Sequence, residues 1–282
     1  MNIVRSAYRI CSPPFLDRLN LTFPLRLNGK WLKIPTVGRI GYSNLLMGEQ
    51  WMIDILQKLL PLKDGAFVDV GVNLGQSLLK LRCVDRDIPY IGFEPNPACV
   101  HYVTRLIRRN GFMNCQLVSV GLFNKNEIVA LDCYSSETDY AATVVRGFRS
   151  QEIQDRFLVP LVKFEDACHQ LGIEKVSTIK IDVEGAELEV IQGMQGVLED
   201  VSPFVLCEIL PVYSADNRFR LTRQEEAERI LKACHYCICR IDKKKNGHLR
   251  GLTRLQSLGV HSDLSLCDYL FVPDEMVDRV FG

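Results

Sequence analysis

The chain has 282 residues, 47% of them hydrophobic and 24% charged, with 34 basic and 34 acidic side chains that cancel to a formal net charge of zero. That length holds one α/β domain with an extension, and the balanced charge gives no positive field of the kind that retains nucleic acid. No run of about 20 apolar residues is available to span a membrane, and eleven cysteines, an odd number scattered along the chain, read as free thiols in a reducing, cytoplasmic setting.

Residues 1–18 carry three arginines and a late acid, faintly like an organelle presequence, but Pro13-Pro14 interrupts any long amphipathic helix. Residues 21–35 alternate around Asn28-Gly29, the dipeptide best suited to a two-residue hairpin turn, so a β-hairpin is expected first. Residues 42–60 then place Trp51, Ile55, Leu56, Leu59 and Leu60 at helical spacing, with Pro61 as the stop. Glu49 at the start of this helix either faces a cleft or is a solvated acid at the positive helix end. Hairpin and helix make residues 1–62 an extension that caps the sheet of a domain spanning 63–282.

The organising stretch is 66–75, Ala-Phe-Val-Asp-Val-Gly-Val-Asn-Leu-Gly: an apolar strand ending in Asp69, then a turn broken by Gly71 and Gly75, with a helical pattern from Gln76. In an open α/β sheet, ligands bind beyond such a turn, where helix N–H groups lack internal partners and glycine admits close approach. The two-glycine spacing is looser than the three-glycine dinucleotide fingerprint. Glu94 strengthens the reading. It ends a second strand, 89–94, roughly 20 residues past Gly75, the interval at which an acid accepts hydrogen bonds from a ribose diol. Its other role would be to cap the helix opened by Pro95 and Pro97.

From there strand and helix alternate: helices over 77–84 and 98–109, a strand over 115–120, then an extra strand over 127–133 after the turn 124–126. Such alternation implies parallel strands with right-handed crossovers. Arg105, Arg108 and Arg109 fall in the last turn of their helix and match its negative end. Residues 135–155 are polar and aperiodic, a loop over the cleft able to select a substrate. A strand at 158–163, a helix at 164–171, a central strand at 176–182, a helix at 186–198 and a strand at 203–208 complete the core. A helix at 224–233, a strand at 236–241 and a final strand at 267–272 follow, with 243–247 a solvated turn. Cys234, Cys237 and Cys239 lack the second pair that a structural zinc site needs, and read as small packing residues.

Asp69, Glu94, Asp182 and Glu208 each end an apolar strand, and in a parallel sheet those ends share one rim. Buried carboxylates at that density ask for a cationic or donor-rich ligand, a metal, or basic neighbours. S-adenosyl-L-methionine offers a sulfonium, an ammonium and a ribose diol, whereas the two phosphates of NAD fit poorly. In the segment 179–187, Ile-Lys-Ile-Asp-Val-Glu-Gly-Ala-Glu, period-2 alternation puts Lys180 and Asp182 on one side of the strand, and Glu184 begins the next helix. Lys180 inside so apolar a strand needs a polar partner, and Asp182 is nearest. Glu187 and Glu189 complement the helix N-terminus.

With these residues in view, the chain resembles the FkbM-family methyltransferases. The similarity lies in Asp69-Val-Gly-Val-Asn-Leu-Gly75, in Phe93-Glu94-Pro95 and above all in the segment 179–187, with Glu208 ending the later strand. It covers roughly 49–211, and Val72 stands where the family often has alanine. The resemblance implies a Rossmann-like seven-stranded sheet with the last strand antiparallel. It also implies S-adenosylmethionine-dependent methyl transfer, usually to a hydroxyl of a sugar or a small natural product. Gly71, Asn73 and Gly75 would hold the methionine part, Asp69 would help anchor its amino group, Glu94 the ribose, and Ser119 and Val120 would flank the adenine. Lys180, Asp182, Glu184 and Glu208 would form the catalytic group, with Asp182 or Glu184 as base and Lys180 positioning the acceptor oxygen. No protein metal ligand is expected, though the acids could hold Mg²⁺. A nicotinamide oxidoreductase and a non-catalytic scaffold are the alternatives.

Overall fold

The computed structural model describes residues 20–38, 40–135 and 138–282, so the presequence-like stretch lies outside the described residues. Strands β1 (Leu21–Leu27) and β2 (Lys30–Thr36) form the expected hairpin. Asn28 and Gly29 both take positive φ, 47° and 76°, as a turn matched to strand twist requires. Helix α1 (Gln50–Leu59) starts later than its apolar spacing suggested, because Glu49 adopts a left-handed φ of 58°. Residues 43–46 form only a short 3₁₀ turn.

The main domain then alternates as expected: β3 (Ala66–Val70), α2 (Gln76–Val84), β4 (Tyr90–Phe93), α3 (Pro97–Asn110) and β5 (Cys115–Val118). Next come β6 (Gly121–Leu122), β7 (Glu127–Cys133) and β8 (Asp155–Val162), which form a separate three-stranded sheet in the order β6-β8-β7. Helix α4 (Phe164–Leu171) and β9 (Val176–Ile181) return to the main sheet. The single helix expected over 186–198 is two, α5 (Glu187–Gln192) and α6 (Gln195–Asp200). Gly193 between them packs so tightly that a Cβ there would lie 1.9 Å from the Phe123 carbonyl oxygen. The chain ends with β10 (Phe204–Glu208), α7 (Arg218–Ala233), β11 (Tyr236–Lys243), β12 (Leu249–Leu255), β13 (Asp268–Pro273) and a short α8 (Val277–Phe281).

The main sheet has the order β12-β11-β13-β10-β9-β3-β4-β5. From β10 to β5 every pairing is parallel, and the last strand, β13, is antiparallel to both of its neighbours, as expected. The sheet is eight-stranded rather than seven-stranded. The addition is β12, an edge strand that hairpins back on β11. Its sequence, Leu-Arg-Gly-Leu-Thr-Arg-Leu, is only half-buried and lacks the apolar run that marks the inner strands.

Alternation along the inner strands builds two apolar layers. Phe67 and Leu206 face the layer shared with the hairpin, α1, α2 and α3. Val68, Val70 and Val205 face the layer under α4, α5, α6 and α7. The hairpin is tied into the first layer: the Tyr102 hydroxyl donates to the Pro35 carbonyl at 3.0 Å, and Asn110 bonds both the N–H and the C=O of Lys33. Every parallel strand therefore points its carboxyl end at the same rim.

Candidate active site

The loop leaving β3 carries three left-handed residues, Gly71, Asn73 and Gly75, with φ of 84°, 46° and 75°. Gly71 is set by close approach, because a Cβ there would lie 1.9 Å from the Asp182 carbonyl oxygen. Gly75 turns toward α3, and its Cβ would meet Leu106 at 2.9 Å, so it seats the loop rather than facing the cleft. Glu94 grips the loop from the end of β4: one carboxylate oxygen accepts from the Asn73 N–H at 2.7 Å, the other from the Asn96 N–H at 2.8 Å. Burial pushes its pKa to about 7 even with these two donors.

Gly71, Asn73 and Glu94 line a cavity of about 580 Å³ that runs on past Gly121 and Leu122 to Tyr140, Arg149 and Tyr213. A second cavity, of about 440 Å³, lies between α1, the start of α2 and the ends of β9 and β10. The two share Gln76, Asp182 and Glu208. Ser119 and Val120 do not line either cavity; the next two residues along the chain do. Asp69 is fully buried beneath the floor. Its carboxylate accepts from the Tyr90 hydroxyl at 2.8 Å and sits 3.7 Å from Lys180 Nζ, so it reaches the site only through that lysine.

Lys180 Nζ lies 3.0 Å from Asp182 Oδ2, on one side of β9 as the alternation required, and 3.4 Å from the Gly71 carbonyl oxygen. Burial opposes its charge, but Asp182 and Asp69 outweigh it and hold the pKa above the ordinary lysine value. Lys180 is therefore a fixed cation. Glu184, in a left-handed conformation with φ of 53°, pairs with Arg149, and burial with the neighbouring Asp182 charge pushes its pKa to about 7. Glu208 makes no ion pair or side-chain hydrogen bond among the described residues. Burial and the like charges of Asp182, Asp268 and Glu184 push its pKa well above the carboxylate range. Of the rim acids that border the cavities, Asp182 and Glu184 each carry a cation, Glu94 is held by two backbone N–H groups, and Glu208 has neither among the described residues.

Several participants had no signal in the sequence. Arg149 and Phe148 come from the long loop between β7 and β8. The Phe148 ring packs on Gly185, under the Arg220 guanidinium 4.1 Å from the ring centroid. Asp139 fastens the start of the same loop by accepting from the N–H groups of Tyr134, Ser135 and Ala141. Glu187 folds back onto the Gly185 N–H at 2.8 Å and Glu189 pairs with Arg223, consistent with structural roles. Among the described residues no group of three or more His, Cys, Asp or Glu side chains is arranged to hold a metal ion. Cys237 and Cys239 lie 3.9 Å apart, sulfur to sulfur.

A parallel sheet with a glycine-bearing loop, a ribose-type acid on the second strand and an acidic rim defines a Rossmann-like site for a nucleoside cofactor carrying positive charge. The sequence matches the family described as the methyltransferase FkbM domain over residues 69–238, more than half of the chain. The protein belongs to that family, and its cofactor is S-adenosyl-L-methionine. It is 24% identical over 177 residues to Methyltransferase 1 of Beauveria bassiana (strain ARSEF 2860), covering 56% of this chain and 70% of that protein. A methyltransferase FkbM from Methylobacillus flagellatus KT superposes with a TM-score of 0.45 at 17% identity, over 74% of this chain and 43% of the other. Aeropyrum pernix fibrillarin, in complex with natively bound S-adenosyl-L-methionine, gives a TM-score of 0.44 at 12% identity, over 89% and 81%.

The donor set fits the cofactor. Glu94 presents a carboxylate to the larger cavity for a diol, the left-handed loop brings backbone close without a Cβ at Gly71, and the unpaired Glu208 carboxylate suits a cation.

Proposed function

We propose that this protein methylates a hydroxyl of a sugar, a glycan or a small natural product. The observation that carries this reading is the meeting of the two cavities at Gln76, Asp182 and Glu208, beside the fixed ammonium of Lys180. Gly71, Asn73 and Glu94 would hold the cofactor along the larger cavity, leaving the smaller one for the acceptor. When bound, S-adenosylmethionine supplies an electrophilic methyl group on its sulfonium.

A hydroxyl acceptor must lose a proton as it attacks. Lys180 cannot take it, because its neighbours hold it protonated. Asp182 and Glu184, the bases expected from sequence, spend their charge on Lys180 and Arg149. Glu208 has no such partner among the described residues, and it is the base in this reading once it has given up the proton that its raised affinity holds in the free protein, with the Lys180–Asp182 pair orienting the acceptor oxygen. Positioning supplies the rest of the rate, since displacement at a methyl carbon needs an in-line approach. The test is a screen with methyl-labelled cofactor against glycans, glycosides and hydroxylated metabolites. Label recovered as an alkali-stable ether supports the reading; label recovered only on nitrogen or carbon rejects it.

A further inference from the structure

The smaller cavity has a charge pattern that restricts what it can hold. Its polar wall includes Ser43, Glu49, Gln76, Glu208 and Asp268, and its apolar wall includes Trp51 and Met47. Among the described residues no arginine lines it. The two lysines that do are already engaged: Lys80, only 2% exposed, pairs with Glu49, and Lys180 with Asp182 and Asp69. Lys243, beside Trp51, is held by Asp268. Glu208 is left without a cation, and the indole N–H of Trp51, a residue 6% exposed, has no acceptor among the described residues.

A phosphate or carboxylate entering this space would meet the unpaired Glu208, three carboxylates whose lysines are already engaged, and no free cation among the described residues, at a cost of several kcal/mol once desolvated. A neutral polyol meets acceptors for its hydroxyls and an apolar wall for its C–H faces, and an amino group would add a counter-charge for Glu208. Resting on the methyl-transfer reading above, we propose that the smaller cavity is the acceptor site. Its ligand is a polyhydroxylated, sugar-like compound that is neutral or amine-bearing and carries no anionic group.

Gly48 gives a clean test. It lines the cavity, has ordinary backbone geometry, and nothing lies within 4 Å of where its Cβ would be. Gly48→Phe should fill the cavity without disturbing the fold. Protein saturated with S-adenosylhomocysteine is examined by saturation-transfer NMR against matched hexosides in gluco, galacto, manno and 6-deoxy series, each as neutral glycoside, amino sugar, 6-phosphate where a 6-hydroxyl exists, and uronate. The expected result is transfer to neutral or amino members, at least tenfold weaker transfer to their anionic counterparts, and loss in Gly48→Phe with unchanged S-adenosylhomocysteine affinity. Leu46→Arg, at a half-exposed position on the cavity wall, should admit the anionic members. Binding that favours phosphates or uronates, binding unaffected by Gly48→Phe, or no binding by any hexoside overturns the proposal. Failure to bind S-adenosylhomocysteine at all would instead strike the methyl-transfer reading on which it rests.

Discussion

Glu94 is a buried acid that the free protein holds at a cost, and replacing it by glutamine should expose that cost as a pH dependence. Its folded pKa of about 7 lies above the ordinary 4.5. The folded state thus binds this proton more tightly than the unfolded chain, and the associated stability, complete at low pH, is lost as pH rises from about 4.5 to about 7. Linkage puts the penalty at roughly 1 kcal/mol at pH 5 and roughly 3 kcal/mol at pH 8. Glutamine removes the penalty but can accept only one of the two backbone N–H bonds, from Asn73 and Asn96, so one donor is left facing an amide NH₂, at about 1–3 kcal/mol whatever the pH. Glu94→Gln should therefore be destabilising by about 0–2 kcal/mol at pH 5 and stabilising by about 0–2 kcal/mol at pH 8, a swing of roughly 2–3 kcal/mol between the two. Urea denaturation of cofactor-free wild type and variant at the two pH values measures it. A difference between the two proteins that is the same at both values would refute the reasoning.

Gly71→Ala forces a Cβ toward the Asp182 carbonyl oxygen in a left-handed conformation, and should cost more than the about 1–2 kcal/mol of the backbone term alone, with a fall in S-adenosylhomocysteine affinity. Calorimetry and thermal melts report both, with Gly48→Ala as the unstrained comparison. Glu208→Gln should lower kcat by about 10²–10⁴-fold with affinity for S-adenosylhomocysteine, whose sulfur is neutral, retained. If Asp182→Asn abolishes turnover and Glu208→Gln does not, the base is Asp182. Arg149→Met removes the partner of Glu184 and should speed amide exchange over residues 141–149 while raising the Glu184 pKa; unchanged exchange would mean that Phe148 and Arg220 alone anchor the loop.

The parts of this fold legible in the sequence are those whose signal is local. Inner strands such as β3, β9 and β10 are buried on both faces and read as apolar runs, and the acids at their ends follow from chain direction alone. The Lys180–Asp182 contact was also legible, since two residues on one strand necessarily share a face. What was hidden depends on tertiary approach. The edge strand β12 is half-solvated, the break at Gly193 is set by the Phe123 backbone, and the late start of α1 by the conformation of Glu49. Arg149 pairs with a residue 35 positions away, and nothing local marks it. The same limit explains the proposed choice of base: sequence placed Asp182 beside Lys180, but only the fold shows that Glu184 is paired as well, with Arg149, and that Glu208 has no ion pair among the described residues. Asp69 illustrates the reverse, a motif acid that folding buries beneath Tyr90 and Lys180.

The central claim is that a cationic methyl donor relieves a rim of carboxylates whose proton affinity burial has raised. Calorimetric titration of S-adenosylmethionine at pH 7.5, repeated in buffers of different ionisation enthalpy, counts the protons exchanged on binding. A sulfonium beside Glu208, Glu184 and Glu94 must lower their pKa values, so protons should be released, and fewer should be released with S-adenosylhomocysteine, whose sulfur is neutral. Equal proton release by the two ligands, or none by either, would contradict the account.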